Sequence, residues 1–102
     1  QTCALPIYRS QADLGKSPRG AGVKGYLNHR GLGILNALDR VSHRLNATPA
    51  QVALAWQIRQ PTIVAPIASA TSVTQWDELA RSASLPLDAV SMATLEAASA
   101  WR

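Results

Sequence analysis

From Gly31 onward, apolar and polar residues fall into blocks of helical period, broken by one short block without alternation. In "GLGILNALDRVSHRLN", Leu35, Leu38, Val41, Ser42 and Leu45 recur at helical spacing while Asp39, Arg40, His43 and Arg44 fall opposite, which predicts an amphipathic helix. Asn46 suits its end, since a short polar side chain tolerates the left-handed conformation that closes many helices. "TPAQVALAWQIRQP" predicts a second helix. Thr48 is its N-cap, Pro49 takes the first helical position and Gln51 completes a Thr-x-x-Gln capping box. Val52 to Trp56 is apolar almost all round, so burial on more than one side is expected, and Pro61 stops the helix. "SVTQWDELARSAS" predicts a third helix, with Ser72 as N-cap, Gln75 three residues on, and Trp76, Leu79, Ala80 and Ala83 on one face. "LPLDAVSMATLEAASAW" predicts a last helix capped by Asp88, with Met92, Leu95 and Ser99 along one side.

The block without alternation is "TIVAPIAS". Short, β-branched and apolar, it reads as a strand covered on both faces, with Pro66 marking where its ladder ends. Upstream of the helices, "SQADLGKSPRGAGVKGYLNHRG" holds five glycines and no period, and reads as a long loop with one helical turn around Val23 to Leu27. Helices can pack on each other, but a single strand has no partner for its backbone. A buried unpaired backbone group costs about 1–3 kcal/mol. The pattern is therefore that of a piece of an α/β protein whose other strands lie elsewhere. Trp56 and Trp76 are both expected in the core.

Composition narrows the function classes. A chain of 102 residues with 47% hydrophobic content has the size of one domain. No apolar run approaches the roughly 18 residues of a membrane span. One cysteine, Cys3, and two histidines, His29 and His43, make neither an internal disulfide nor a good metal set, which points to a reducing, cytoplasmic compartment. The net charge of +4 lies wholly between Tyr8 and Arg30, where Arg9, Lys16, Arg19, Lys24 and Arg30 face Asp13 alone. A basic loop on a neutral body suits a small anion better than a nucleic acid. A helix-turn-helix reading of the segment around "LNATPAQ" fails, because "QVALAW" offers a groove almost no polar side chains.

The order of long loop, helix, "TPAQVALAWQIRQPTIVAPIASATSVTQWDEL" and final helix resembles the C-terminal end of the aldo-keto reductases, from Tyr8 to about Trp101. The "AQVALAW" core, followed at the right distance by "PIASATSVTQWDEL", is the specific part of the match. The resemblance implies an α/β fold, as the C-terminal fragment of a (β/α)8 TIM barrel, the fragment itself being mostly α with one β-strand. Residues 8–102 would supply the loop after strand seven, the helices packing there, strand eight at Ile63 to Ile67, its helix and the C-terminal helix. Residues 1–7, "QTCALPI", do not resemble the family and match the translated end of a short-read sequencing adapter. They are expected to be a non-native leader.

The resemblance also implies a function. Aldo-keto reductases reduce aldehydes and ketones with NADPH, using an Asp, Tyr, Lys and His set from earlier strands. That set would lie upstream of Tyr8, so no catalytic residue is expected in this chain, and alone it should be inactive without the rest of the barrel. It would contribute cofactor contacts: Arg19 toward the adenosine part, Ser69 and Thr71 in the loop where the phosphates bind, and Gln75 and Glu78 toward adenine and ribose. Leu79 stands where the family usually has Asn, and Thr71 takes a position at which relatives often carry a cation, which leaves NADH open beside NADPH. The expected partner is a small carbonyl substrate, with no nucleic acid, membrane or metal. The alternative is a non-catalytic NADP-binding protein of the same fold, like the channel β-subunits.

Overall fold

The helices expected to start at Thr48, Ser72 and Asp88 do so, each capped by that side chain. The computed structural model describes residues 7–16 and 20–100. Helix α1 spans His29–Leu45 and starts earlier than its apolar period suggests, because Asn28 caps it. The Asn28 carboxamide oxygen accepts the Gly31 N–H at 2.8 Å, and its Nδ2 donates to the Gly25 carbonyl at 3.1 Å. Glycine is required at Gly31: a Cβ there would meet the Tyr26 carbonyl oxygen at 1.8 Å. At the other end Asn46 takes φ 52 and ψ 49. The Asn46 N–H reaches His43 O at 3.4 Å and the Ala47 N–H reaches Ser42 O at 2.9 Å, the two bonds of a Schellman close.

Helix α2, Pro49–Ile58, carries the expected capping box. The Thr48 hydroxyl accepts the Gln51 N–H at 3.2 Å while Gln51 Oε1 accepts the Thr48 N–H at 3.0 Å. Helix α3, Val73–Ala80, is capped by Ser72 and runs into a 3-10 turn at Arg81–Ser84. Helix α4, Ala89–Ser99, is capped by Asp88, whose carboxylate accepts the Ser91 N–H at 2.8 Å.

Helix α1 packs against both α2 and α4, and the turn after α3 packs on α2. The core lies along these contacts: Ala37 and Val41 from α1, Val52 and Ala55 from α2, Leu95 from α4, and Leu87 just before α4. Leu38, Leu45, Trp56 and Met92 close around it. The buried hydroxyls of Ser42 and Ser82 donate back along the chain, to Asp39 O at 2.9 Å and Leu79 O at 2.6 Å, so burial leaves neither donor unpaired. Arg44 pairs with the Asp88 carboxylate and ties α1 to the start of α4. Arg59 donates to Leu85 O at 2.8 Å.

Two expectations are corrected. Ile63 to Ile67 is not a strand, and among the described residues there is none. After α2 the chain makes one turn, with the Ile63 N–H on Gln60 O at 3.2 Å, and then runs irregularly to Ser72. A strand needs a neighbouring backbone to complete its hydrogen bonds, and no described segment lies beside this one as a strand. Val64 and Ile67 are accordingly 103% and 97% exposed. Trp76 is not in the core but 63% exposed, because only Leu79 of its expected face meets α2 and the following turn. The long loop is also more ordered than its composition suggests. It forms 3-10 turns at Gln11–Lys16 and Gly20–Tyr26, the second overlapping the expected helical turn.

Candidate functional site

The stretch from Ala68 to Glu78 is the candidate site, and its geometry is set by the start of α3. Ser72 is extended, with φ −147 and ψ 163, and its hydroxyl accepts the Gln75 N–H at 3.2 Å. Gln75 folds back past the cap. Its Oε1 receives both the Thr71 N–H at 2.6 Å and the Thr71 hydroxyl at 2.8 Å. Two of the expected site residues are thus in direct contact. Glu78, one turn further along, faces α2: its Oε2 accepts from the Thr48 hydroxyl at 3.2 Å, and its backbone carbonyl accepts from Gln51 Nε2 at 2.8 Å. Ser69 stands apart on the exposed segment before the helix. Arg19 lies outside the described residues.

Electrostatically the site is neutral on the cation side. The sequence holds no Lys or Arg between Arg59 and Arg81. What it offers an anion is hydroxyls, the positive end of the α3 dipole, and the N–H groups of Ala68, Ser69 and Ala70, which have no partner among the described residues.

The basic stretch is committed elsewhere in part. Arg9 grips Asp39 of α1 through two bonds, at 2.7 and 3.1 Å, and Lys16 lies 3.5 Å from Asp13 while donating to Ile7 O at 3.0 Å. The Arg9 guanidinium holds the Asp39 carboxyl below its ordinary range. A carboxyl depressed in the folded state contributes stability that is fully present above its unfolded value, about 3.9, and is lost as pH falls through the folded value. Asp39→Asn should therefore flatten the acid limb of thermal stability below about pH 4. The Arg9 side chain is half exposed and Asp39 partly so, and the difference should be small and should shrink further in high salt. Melting curves at descending pH, with and without added salt, check both.

The profile of the aldo/keto reductase family matches residues 8–100, from the basic stretch through α4. The chain belongs to the aldo/keto reductase family. No solved structure gives a significant match to it. Aldo/keto reductases are oxidoreductases, and membership supports that class for this protein. Among the described residues no group of three or more His, Cys, Asp or Glu side chains is placed to hold a metal ion, and no helix is long and apolar enough to cross a membrane.

One contact in this aldo/keto reductase that its sequence does not signal runs from Thr48 to Glu78. "TPAQ" signals a capping box, and a capping box requires the Thr48 hydroxyl only as an acceptor. The same hydroxyl also has a donor, and where it points depends on how α3 packs on α2. No local pattern records that.

Proposed function

We propose that residues 8–102 are the C-terminal, cofactor-binding part of a cytoplasmic aldo/keto reductase of (β/α)8 architecture, which reduces small aldehydes and ketones with NADPH. Residues 1–7 are then a leader foreign to the enzyme. The observation that carries the reading is the apolar segment holding Val64 and Ile67, fully exposed and without strand partners, in a chain whose family match runs almost end to end. Such a segment is the final barrel strand awaiting the strands on either side of it.

The donors at the start of α3 fit a phosphate-bearing cofactor held by neutral hydrogen bonds. Ser69 and the unpaired N–H groups beside it would take the phosphate oxygens, and Thr71 would join them by turning its N–H and hydroxyl from Gln75 Oε1 to the cofactor. Arg19 would take the adenosine phosphate, and Gln75 and Glu78 the adenine and ribose. NADPH, when bound, supplies the hydride that reduces the carbonyl carbon. This chain's own residues bind and orient the adenosine end, and the group that protonates the carbonyl oxygen comes from upstream. Since Thr71 brings no positive charge, discrimination against NADH rests on Arg19.

The reading frame upstream of Tyr8 is the direct test. It should encode the family's Asp, Tyr, Lys and His at their strand ends, and the enzyme expressed from it should oxidise NADPH in the presence of an aldehyde. A natural frame that reads QTCALPI before Tyr8, with no barrel upstream, would overturn the proposal. In that enzyme Arg19→Ala should raise the KM for NADPH about tenfold, the size of one lost charged hydrogen bond, with kcat near its normal value. An unchanged KM removes Arg19 from the site.

A further inference from the structure

The Thr48 hydroxyl has one proton to donate and two lone pairs to accept with, and the structure uses both functions. It accepts the Gln51 N–H at 3.2 Å, which caps α2, and it donates to Glu78 Oε2 at 3.2 Å, across thirty residues of sequence. Gln51 repeats the arrangement. Its Oε1 accepts the Thr48 N–H at 3.0 Å and its Nε2 donates to the Glu78 carbonyl at 2.8 Å. The whole capping box of α2 therefore has its acceptors turned to its own helix and its donors turned to Glu78. All of these contacts are partly buried, which makes them stronger than the same bonds in water.

We infer that Thr48 and Gln51 are positioning residues for the cofactor, fixing the Glu78 carboxylate and the turn of α3 that carries it. The inference rests on the proposed NADPH site and adds to it the element that sets its geometry. Glu78 would reach the ribose from α3, but α3 by itself is a short helix with one buried side chain, Leu79. The capping box gives it a second anchor beside Leu79, one that fixes both the side chain and the backbone of Glu78. A carboxylate accepts about four hydrogen bonds, so the bond from Thr48 leaves capacity for a ribose hydroxyl. Removing it takes away the hold that α2 has on the carboxylate, and the ribose contact must then be reordered at each binding event.

Two substitutions separate capping from positioning. Asparagine and aspartate are both strong N-caps, so each can accept the Gln51 N–H. Asparagine also carries N–H donors for Glu78, whereas aspartate has no donor and sets a like charge against it. In the full-length enzyme, titrated with NADPH and followed by protein fluorescence, Thr48→Asn should bind within about twofold of the wild type, while Thr48→Asp should bind about tenfold more weakly. Kcat at saturating NADPH should be unchanged in both. Thr48→Val and Glu78→Ala, singly and combined, form a second measurement in which the losses should be non-additive. Equal affinity for the Asn and Asp variants, or additive losses in the cycle, overturns the positioning role while leaving the cofactor reading standing. A wild-type enzyme that does not bind NADPH overturns both.

Discussion

Leu95→Ala should abolish the cooperative thermal transition of this chain. Leu95 sits on the inner side of α4, 5% exposed, and lines the apolar groove that Ile34 and Leu38 of α1 share with Ala53 and Trp56 of α2. It is where three helices meet. Truncating a buried leucine to alanine costs about 2–5 kcal/mol, because the lost methyl groups leave a cavity as well as a transfer penalty. A chain of this length would ordinarily have roughly 5–15 kcal/mol of stability. This one falls at or below the lower end, since among the described residues the buried apolar ones are Ala37, Val41, Val52, Ala55, Leu79, Leu87 and Leu95, and two of these are alanines. The loss is therefore comparable to the whole. Val90→Ala on the same helix, at a position 57% exposed, is the control and should stay within about 0.5 kcal/mol of the wild type. Circular dichroism melts of the two variants decide the matter. An unchanged midpoint for Leu95→Ala would mean that α4 does not pack where the structure places it.

The helical part of the fold was legible because it is written in local chemistry. Thr48, Ser72 and Asp88 all cap as their side chains require, Asn46 ends α1 in the left-handed conformation, and Val41, Ser42 and Leu95 are buried on the faces their spacing marks. Asn28 was less legible, since capping by an asparagine seven residues before the first periodic leucine, Leu35, has no apolar signal behind it. Trp76 failed for another reason. Helical spacing says which side chains share a face, but not whether anything covers that face. The segment from Thr62 to Ile67 is the same failure on a larger scale. Its composition is right for a strand, yet strand formation is decided by a neighbour and not by the segment itself. At the candidate site, the helix pattern put Thr71 just before α3 and Gln75 and Glu78 within it, and could not show that Gln75 Oε1 is taken by Thr71 or that Glu78 is held from α2.

Aspartate at Val64 and Ile67 should leave the isolated chain's stability unchanged and should destroy the full-length enzyme. The two side chains are 103% and 97% exposed in the structure, so neither contributes packing that a substitution can remove. Changes at such positions fall within about 0.5 kcal/mol. Solubility of the isolated chain should rise, because a charge interrupts an apolar run that invites edge-to-edge pairing. In the intact barrel the same positions meet the opposite environment. Three residues apart on a strand, they point to opposite faces: one toward the barrel interior, the other toward the surrounding helices. Both faces of a barrel strand are covered, so both carboxylates would be buried without a partner. Each would cost several kcal/mol or force its own protonation. The measurement is a paired one, with thermal melts and soluble yield for both variants in the short chain and in the enzyme from the complete reading frame. Equal tolerance in the two contexts would show that this segment never enters a sheet. A neutral effect in one and loss of folding in the other is what a final barrel strand, exposed only for want of its neighbours, must produce.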